Sequence, residues 1–312
     1  MKDAVTTLKA KLAEWRSWMD IEKSDSIAYQ MYRMLWDDMV FRIVNECRAL
    51  APPAAEGGVQ LSGLLHEFIN ICYFQTQALA IRRLTEKNPI HPKKSVNSLR
   101  RLLDDIKEHR ELYTRANIFA AEGLPYDYSA QKREYDEDTV KKFEMATAQG
   151  RRTFTTDNKL WAAWRIPEDL HKDFDRLSGT DEHTRSEGDV IRSDIITRLL
   201  GSLGVCAHIK GFVNKQVAHT ADPRNAPQVH RINLQRIWDC HKAICQVASF
   251  VAIRILRCYS PCGLPVPQYN QFEHIENPLI KVEHIEKLRQ LWHERENELG
   301  KWADPEWLVC HD

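Results

Sequence analysis

Lys215, His219 and Asp222 stand four and then three residues apart in the stretch Lys210-Gly-Phe-Val-Asn-Lys-Gln-Val-Ala-His-Thr-Ala-Asp-Pro223. On a helix that spacing places all three on one face. A neutral imidazole near pH 7 can take a proton from a ribose hydroxyl. A neighbouring ammonium can hold the phosphate and stabilise the charge that develops on it. A carboxylate can orient the imidazole, and Asn214 can add a hydrogen bond. His219, Asn214, Lys215 and Asp222 are therefore the candidate catalytic residues for RNA cleavage. That chemistry calls for no metal and no cofactor. The same residues also have a purely structural reading. Lys215 is then a surface residue, Asp222 caps the Asp-Pro turn, and His219 sits at a helix end where the dipole favours it.

Helices must position these groups. Ile191, Ile195, Leu199 and Leu203 recur every four residues and predict a helix from about Asp189 to His219, closed by Pro223. Gly201, Gly204 and Gly211 weaken its middle and mark a kink or a close approach. Upstream, Val5 to Met19 and Ile27 to Phe41 carry helix periodicity, and Ala51–Gly58 reads as a loop. An apolar segment runs from Val59 to about Glu86, and Ser95 stands as the N-cap of a helix over Val96–His109. Further helices are expected from Ile237 to about Cys258 and from Val282 to Trp292, with a Pro-rich loop at Pro261–Pro267 between them. Residues 123–188 form an irregular, acidic insertion with short helical pieces at 137–149 and 168–177 and an extended piece at 151–156. It lies between an N-terminal helical half (1–122) and a C-terminal half (189–312) of one domain. The expected class is all-α, an antiparallel helical bundle.

The chain has 312 residues, with 44 Lys and Arg against 44 Asp and Glu, so its net charge selects no partner. The distribution is uneven. Residues 76–115 hold ten bases against five acids, and residues 122–189 hold sixteen acids against eleven bases. Arg82, Arg83, Arg100 and Arg101, together with Lys210, are the candidate RNA- or phosphate-binding residues. The longest apolar run, Ala243–Ile253, is too short to span a bilayer. The start of the chain carries charges throughout rather than a basic tip and an apolar run. The eight Cys lie mostly among apolar neighbours and read as reduced core thiols. A soluble, cytoplasmic protein with no membrane partner is expected. Cys206, His208, Cys240, His241 and Cys245 include zinc-type ligands, but no Cys-x-x-Cys pair occurs and no metal site is expected. His241 falls on an apolar helix face and reads as a core histidine. Phosphate-loop, dinucleotide and hydrolase-elbow motifs are missing.

The 210–223 stretch resembles the motif helix of the HEPN superfamily (higher eukaryotes and prokaryotes nucleotide-binding), with Asn214 and His219 at the polar and His positions. Ala80-Ile-Arg-Arg-Leu-Thr85, Ser95-Val-Asn-Ser-Leu99 and Leu291-Trp292 are similar to patterns in the abortive-infection branch. The resemblance spans about residues 60–110 and 190–300. It implies a HEPN-like bundle, RNA or nucleotide binding, metal-independent endoribonuclease activity through His219, and a homodimer. A role in prokaryotic defence or as a toxin is implied as well, with a protein antitoxin or defence partner. One position departs from the pattern: Val213 stands where the family carries its catalytic Arg. Val cannot bind phosphate, and a Lys lacks the bidentate fork of Arg. The alternative reading is a non-catalytic helical protein-interaction module with a degenerate motif.

Overall fold

A computed structural model describes residues 2–50, 63–87, 96–213, 232–264, 270–273 and 284–305. The described residues are helical and hold no strand, so the all-α class stands. The helices are α1 (Lys2–Trp18), α2 (Ile27–Leu50), α3 (Gly63–Thr85), α4 (Leu99–Glu108), α5 (Arg115–Glu122), α6 (Ser129–Ala148), α7 (Asn158–Ser178), α8 (Ser193–Ser202), α9 (Ala207–Phe212), α10 (Leu234–Phe250) and α11 (Ile285–Trp302). The expected helix from Asp189 is divided. A 3-10 turn at Leu203–Cys206 separates α8 from α9, where Gly204 weakens the run. After α10 the chain continues as a π-helical turn, Val251–Leu256, and ends on Arg257 at φ 55°.

The chain forms two compact units, Met1–Glu14 with Ile106–Ile196, and Trp15–Asp105 with Thr197–Asp312. The first unit is wider than the 123–188 insertion, and that insertion is not irregular. It carries two long helices, α6 and α7, packed against each other, with α5 against α7. Asp157 caps α7 by accepting from the amides of Lys159 (2.7 Å) and Leu160 (3.3 Å), and Gly179 closes it at φ 74°. Pro167 lies inside α7, which forgoes one backbone hydrogen bond there.

Arg115, fully buried, holds the first unit together. Its guanidinium lies 2.9 Å from both Asp175 and Asp189, donates to Thr180 Oγ1 at 2.8 Å, and donates to His171 Nδ1 at 3.2 Å. His171 in turn contacts the Tyr126 carbonyl at 2.9 Å from Nε2, against the rings of Phe119 and Tyr126. Backbone bonds from Arg115 N to Asp189 O and from Ala116 N to Glu187 O tie the start of this segment to its end.

In the second unit α2 packs along α3, α11 packs on α2 and α10, and α3 also meets α9 and α10. Met31, Met34, Leu35, Ile81, Leu84, Ile237, Ile244 and Val247 are buried there. Full burial of such a side chain contributes about 1.5–3 kcal/mol.

Candidate functional site

The C-terminal end of α3, the start of α4 and the 203–210 segment meet at one pocket. Leu84 and Ile81 on α3, Leu99 on α4, and Leu203 and Ile209 are buried, which leaves the polar residues between them at the surface. Ser98 fixes the corner. Its hydroxyl donates to Glu86 O at 2.6 Å and accepts from Arg101 N at 3.1 Å, so one side chain closes α3 and caps α4. Ser95, the expected cap, lies outside the described residues.

The pocket is lined by Arg82, Thr85, Glu86, Lys87 and Arg100, and by Leu203, Gly204, Cys206, Ala207 and Lys210. Its volume is about 170 Å³. Pockets that enclose a whole small molecule run to about 300–1,000 Å³, so this one suits a group of phosphate size with the rest of the ligand outside. Four cations meet one carboxylate. Glu86 sits 3.7 Å from Arg82 in a partly exposed pair, which is weak. Arg100 Nε is a buried donor without a hydrogen-bond partner among the described residues. The Cys206 thiol is kept neutral by the adjacent Cys240 thiol and by burial, which raise it far above the usual range. The arrangement is a small, net positive recess with donors to spare.

The structure brings together three of the five expected phosphate-binding residues, Arg82, Arg100 and Lys210, and adds Lys87. Arg83 and Arg101 do not line the pocket. Arg83 is exposed on α3. Arg101 is committed to the fold: its guanidinium lies 4.3 Å from the Trp18 ring centroid, and Nη1 donates to Val96 O at 3.2 Å. Asn214, Lys215, His219 and Asp222 lie outside the described residues. Val213 is 0% exposed and belongs to the core.

A second polar cluster escaped the sequence. Asp38 on α2 is fully buried. Its Oδ1 accepts from the Tyr73 hydroxyl and from Trp238 Nε1 at 3.3 Å. Its Oδ2 accepts from Arg42 Nε at 2.9 Å and Arg295 Nη2 at 3.0 Å. Burial pushes this carboxyl up, but the surrounding His241, Arg42, Arg295 and Tyr73 outweigh it and hold it below the usual carboxylate range. His241 is fully buried as well, with Nε2 2.9 Å from Gln77 Oε1 and Nδ1 3.9 Å from Asp38 Oδ2. Burial, against the pull of Asp38 and with the push of the two guanidiniums, lowers it to about 4. The imidazole is therefore neutral at pH 7, and the guanidiniums keep Asp38 charged. The cluster joins α2, α3, α10 and α11, and its carboxylate is already saturated with donors. Its role is to hold the unit together. The one sequence signal was an acid inside the apolar stripe Met34, Leu35, Asp38, Met39.

The chain matches no family model, no curated protein and no solved structure. Among the described residues one run, Ser193–Phe212, has the length and hydropathy to cross a membrane. A core helix of a soluble protein passes the same test, and the 3-10 turn interrupts this one.

Proposed function

We propose that the chain binds RNA or a nucleotide, with a phosphate seated in the pocket formed by Arg82, Lys87, Arg100 and Lys210. The observation that carries this reading is the convergence of four cations from three separate segments on one recess with a single acid. The unpartnered Arg100 Nε supports it, since a buried donor without an acceptor is costly unless a ligand supplies one. The HEPN-type resemblance of 210–223 agrees with such a ligand, and a prokaryotic defence or toxin protein acting as a homodimer is the setting we infer. Binding is favoured over cleavage, because the position that would carry the family's Arg holds a buried Val213.

The test is fluorescence anisotropy with labelled single-stranded RNA and with a nucleotide. Arg82→Glu with Arg100→Glu should weaken binding at least tenfold and make it less sensitive to salt, because fewer phosphates are neutralised. Unchanged affinity in that double variant sinks the proposal. Incubation with RNA in EDTA, wild type beside His219→Ala, separates binding from cleavage. Loss of cleavage in the variant alone would assign the catalytic role to His219.

A second reading, a protein-interaction module, rests on exposed apolar side chains of the α6–α7 hairpin. Val140, Phe143 and Met145 are 55%, 56% and 62% exposed, and Trp161 is 44% exposed. It predicts capture of an antitoxin or defence partner that charge reversal at Arg82 and Arg100 leaves intact, and that Phe143→Glu abolishes.

A further inference from the structure

The second unit holds another cavity, of about 480 Å³, lined from α2, α3, α10 and α11. Its volume falls inside the range of about 300–1,000 Å³ that encloses a small molecule. Asn70 in this cavity and Arg82 in the basic pocket are twelve residues apart on α3. At about 1.5 Å per residue the two sites lie roughly 18 Å apart along the helix. They share no lining residue.

The walls are aromatic and held in place. Phe41 stacks on Tyr73 with centroids 3.7 Å apart and planes 6° from parallel. The Arg42 guanidinium lies 4.1 Å from the Trp238 ring centroid. Phe74 completes the set. The lining carries little free charge. Arg42 is bound to Asp38 at 2.9 Å, and Glu46 is paired with Lys287 at 2.9 Å. Hydrogen-bonding groups sit to one side. Arg48 Nη1 donates to His66 Nδ1 at 2.5 Å. Asn70 Nδ2 lies 3.0 Å from His66 Nε2, so both ring nitrogens face protein partners, and the amide keeps its Oδ1 for a ligand. The lining's own charges, Arg42 and Glu46, are each paired, Arg48 behind His66 makes no ion pair among the described residues, and a saturated hydrocarbon leaves the Asn70 amide oxygen unused. A flat heterocycle uses both features, because it stacks on rings and hydrogen-bonds at its rim.

We propose that this cavity is a ligand site for a planar nitrogen heterocycle of the nucleobase class. The ring packs against Phe74 and Trp238, and its edge meets the Asn70 amide, which His66 holds in place. The site is independent of the phosphate reading of the basic pocket, and an uncharged probe keeps the two apart.

The experiment uses the full chain with adenosine, guanosine, cytidine and uridine, none of which carries a phosphate. Saturation-transfer NMR and calorimetric titration should show saturable binding of at least one, with transfer to its base protons. Phe74→Ala and Asn70→Ala should each weaken it, Phe74→Ala by about tenfold or more, the usual worth of a stacked base. Arg100→Glu should leave it unchanged, while the same variant weakens binding of phosphate-bearing ligands. If Phe74→Ala loses the fold, Phe74→Leu keeps the apolar volume, removes the ring face and carries the same expectation. Absence of saturable binding for all four nucleosides overturns the proposal. So does binding that Phe74→Leu and Asn70→Ala both leave at the wild-type value.

Discussion

Arg295 Nη2 lies 3.0 Å from Asp38 Oδ2, although 257 positions of sequence separate the two residues. Both side chains are out of solvent, at 2% and 0% exposure. Arg295 also reaches Glu298 at 2.6 Å and lies 4.6 Å from the Trp302 ring centroid. The carboxylate thus holds the last described helix to the second one. A buried charge of this kind is tolerable only because every lone pair is answered.

Asp38→Asn keeps the shape and removes the charge, leaving Arg42 and Arg295 facing an amide. Removal of one partner from a buried ionic cluster costs about 3–5 kcal/mol. Urea denaturation should show that loss without a change in slope. A loss under about 1 kcal/mol, the level of an exposed pair, would show that the cluster is solvated.

The acid side of the stability curve should carry a signature of His241. Its folded value is about 4 against an ordinary 6.5, so between these limits the unfolded chain takes up a proton that the folded chain refuses. Stability therefore falls as pH drops from about 6.5 to about 4, by roughly 3 kcal/mol at about 1.4 per pH unit. Asp38, depressed below 3.8, adds a further loss only below that value. His171, lowered chiefly by burial, contributes in the same sense as His241. Denaturation midpoints from pH 7 to 4.5 should fall less steeply in His241→Gln. An identical slope in the variant would assign the effect elsewhere.

Arg115→Met should unfold the first unit more readily than Asp189→Asn does. The former leaves Asp175 and Asp189 facing each other without their shared cation, and the latter leaves Arg115 with Asp175. A cost of about 3–5 kcal/mol is expected for the Arg change. Hydrogen exchange of α5 and α7 amides reads it locally, and equal protection in the two variants would contradict it.

Charge reversal should discriminate between neighbours on the same helix. Arg82→Glu and Arg100→Glu should each weaken RNA binding and flatten its salt dependence. The log–log slope should drop by about 0.7 for every phosphate that is no longer neutralised. Arg83→Glu should do neither. Equal effects at Arg82 and Arg83 would mean a diffuse basic surface rather than a pocket.

Val213→Arg, which installs the Arg of the HEPN-type pattern, should not create a nuclease. The position is fully buried, and an unpaired guanidinium there costs several kcal/mol. Thermal melting should show a collapse in Tm. A folded variant that cuts RNA would reverse this view of Val213.

Much of the helical framework was legible in the sequence, because α1, α2, α10 and α11 each carry an apolar face and α3 is apolar along much of its length. The α6–α7 hairpin was legible only as short pieces at 137–149 and 168–177. The start of α6 reads Ser-Ala-Gln-Lys-Arg-Glu-Tyr-Asp-Glu-Asp, charged on every side, so no stripe marks it. It holds through local contacts such as Asp138–Lys142 at 2.8 Å and Asp127 Oδ1 accepting from Ser129 N at 2.9 Å. In α7 only the stretch 168–177 was read as helix, and the cap at Asp157, which starts the helix at Asn158, went unread. The basic pocket was legible as a charge run, though not in detail. Adjacent helical residues point about 100° apart, so one of Arg82 and Arg83, and one of Arg100 and Arg101, faces the recess. The network around Asp38 could not be read, since its members come from four helices far apart in sequence.

The span from Asp38 to Arg295 bears on how the chain is made. Synthesis at roughly 5–20 residues per second leaves tens of seconds between the emergence of the acid and that of its distant partner. For most of that interval α2 and α3 are present while Trp238 and His241 are not, and Arg295 is the last to arrive. The carboxylate must stay hydrated, and the apolar faces beside it stay open to other chains. The emergence of residue 295, rather than local helix formation, sets the moment at which this cluster can close, and nascent-chain crosslinking to chaperones should peak before residue 295 appears.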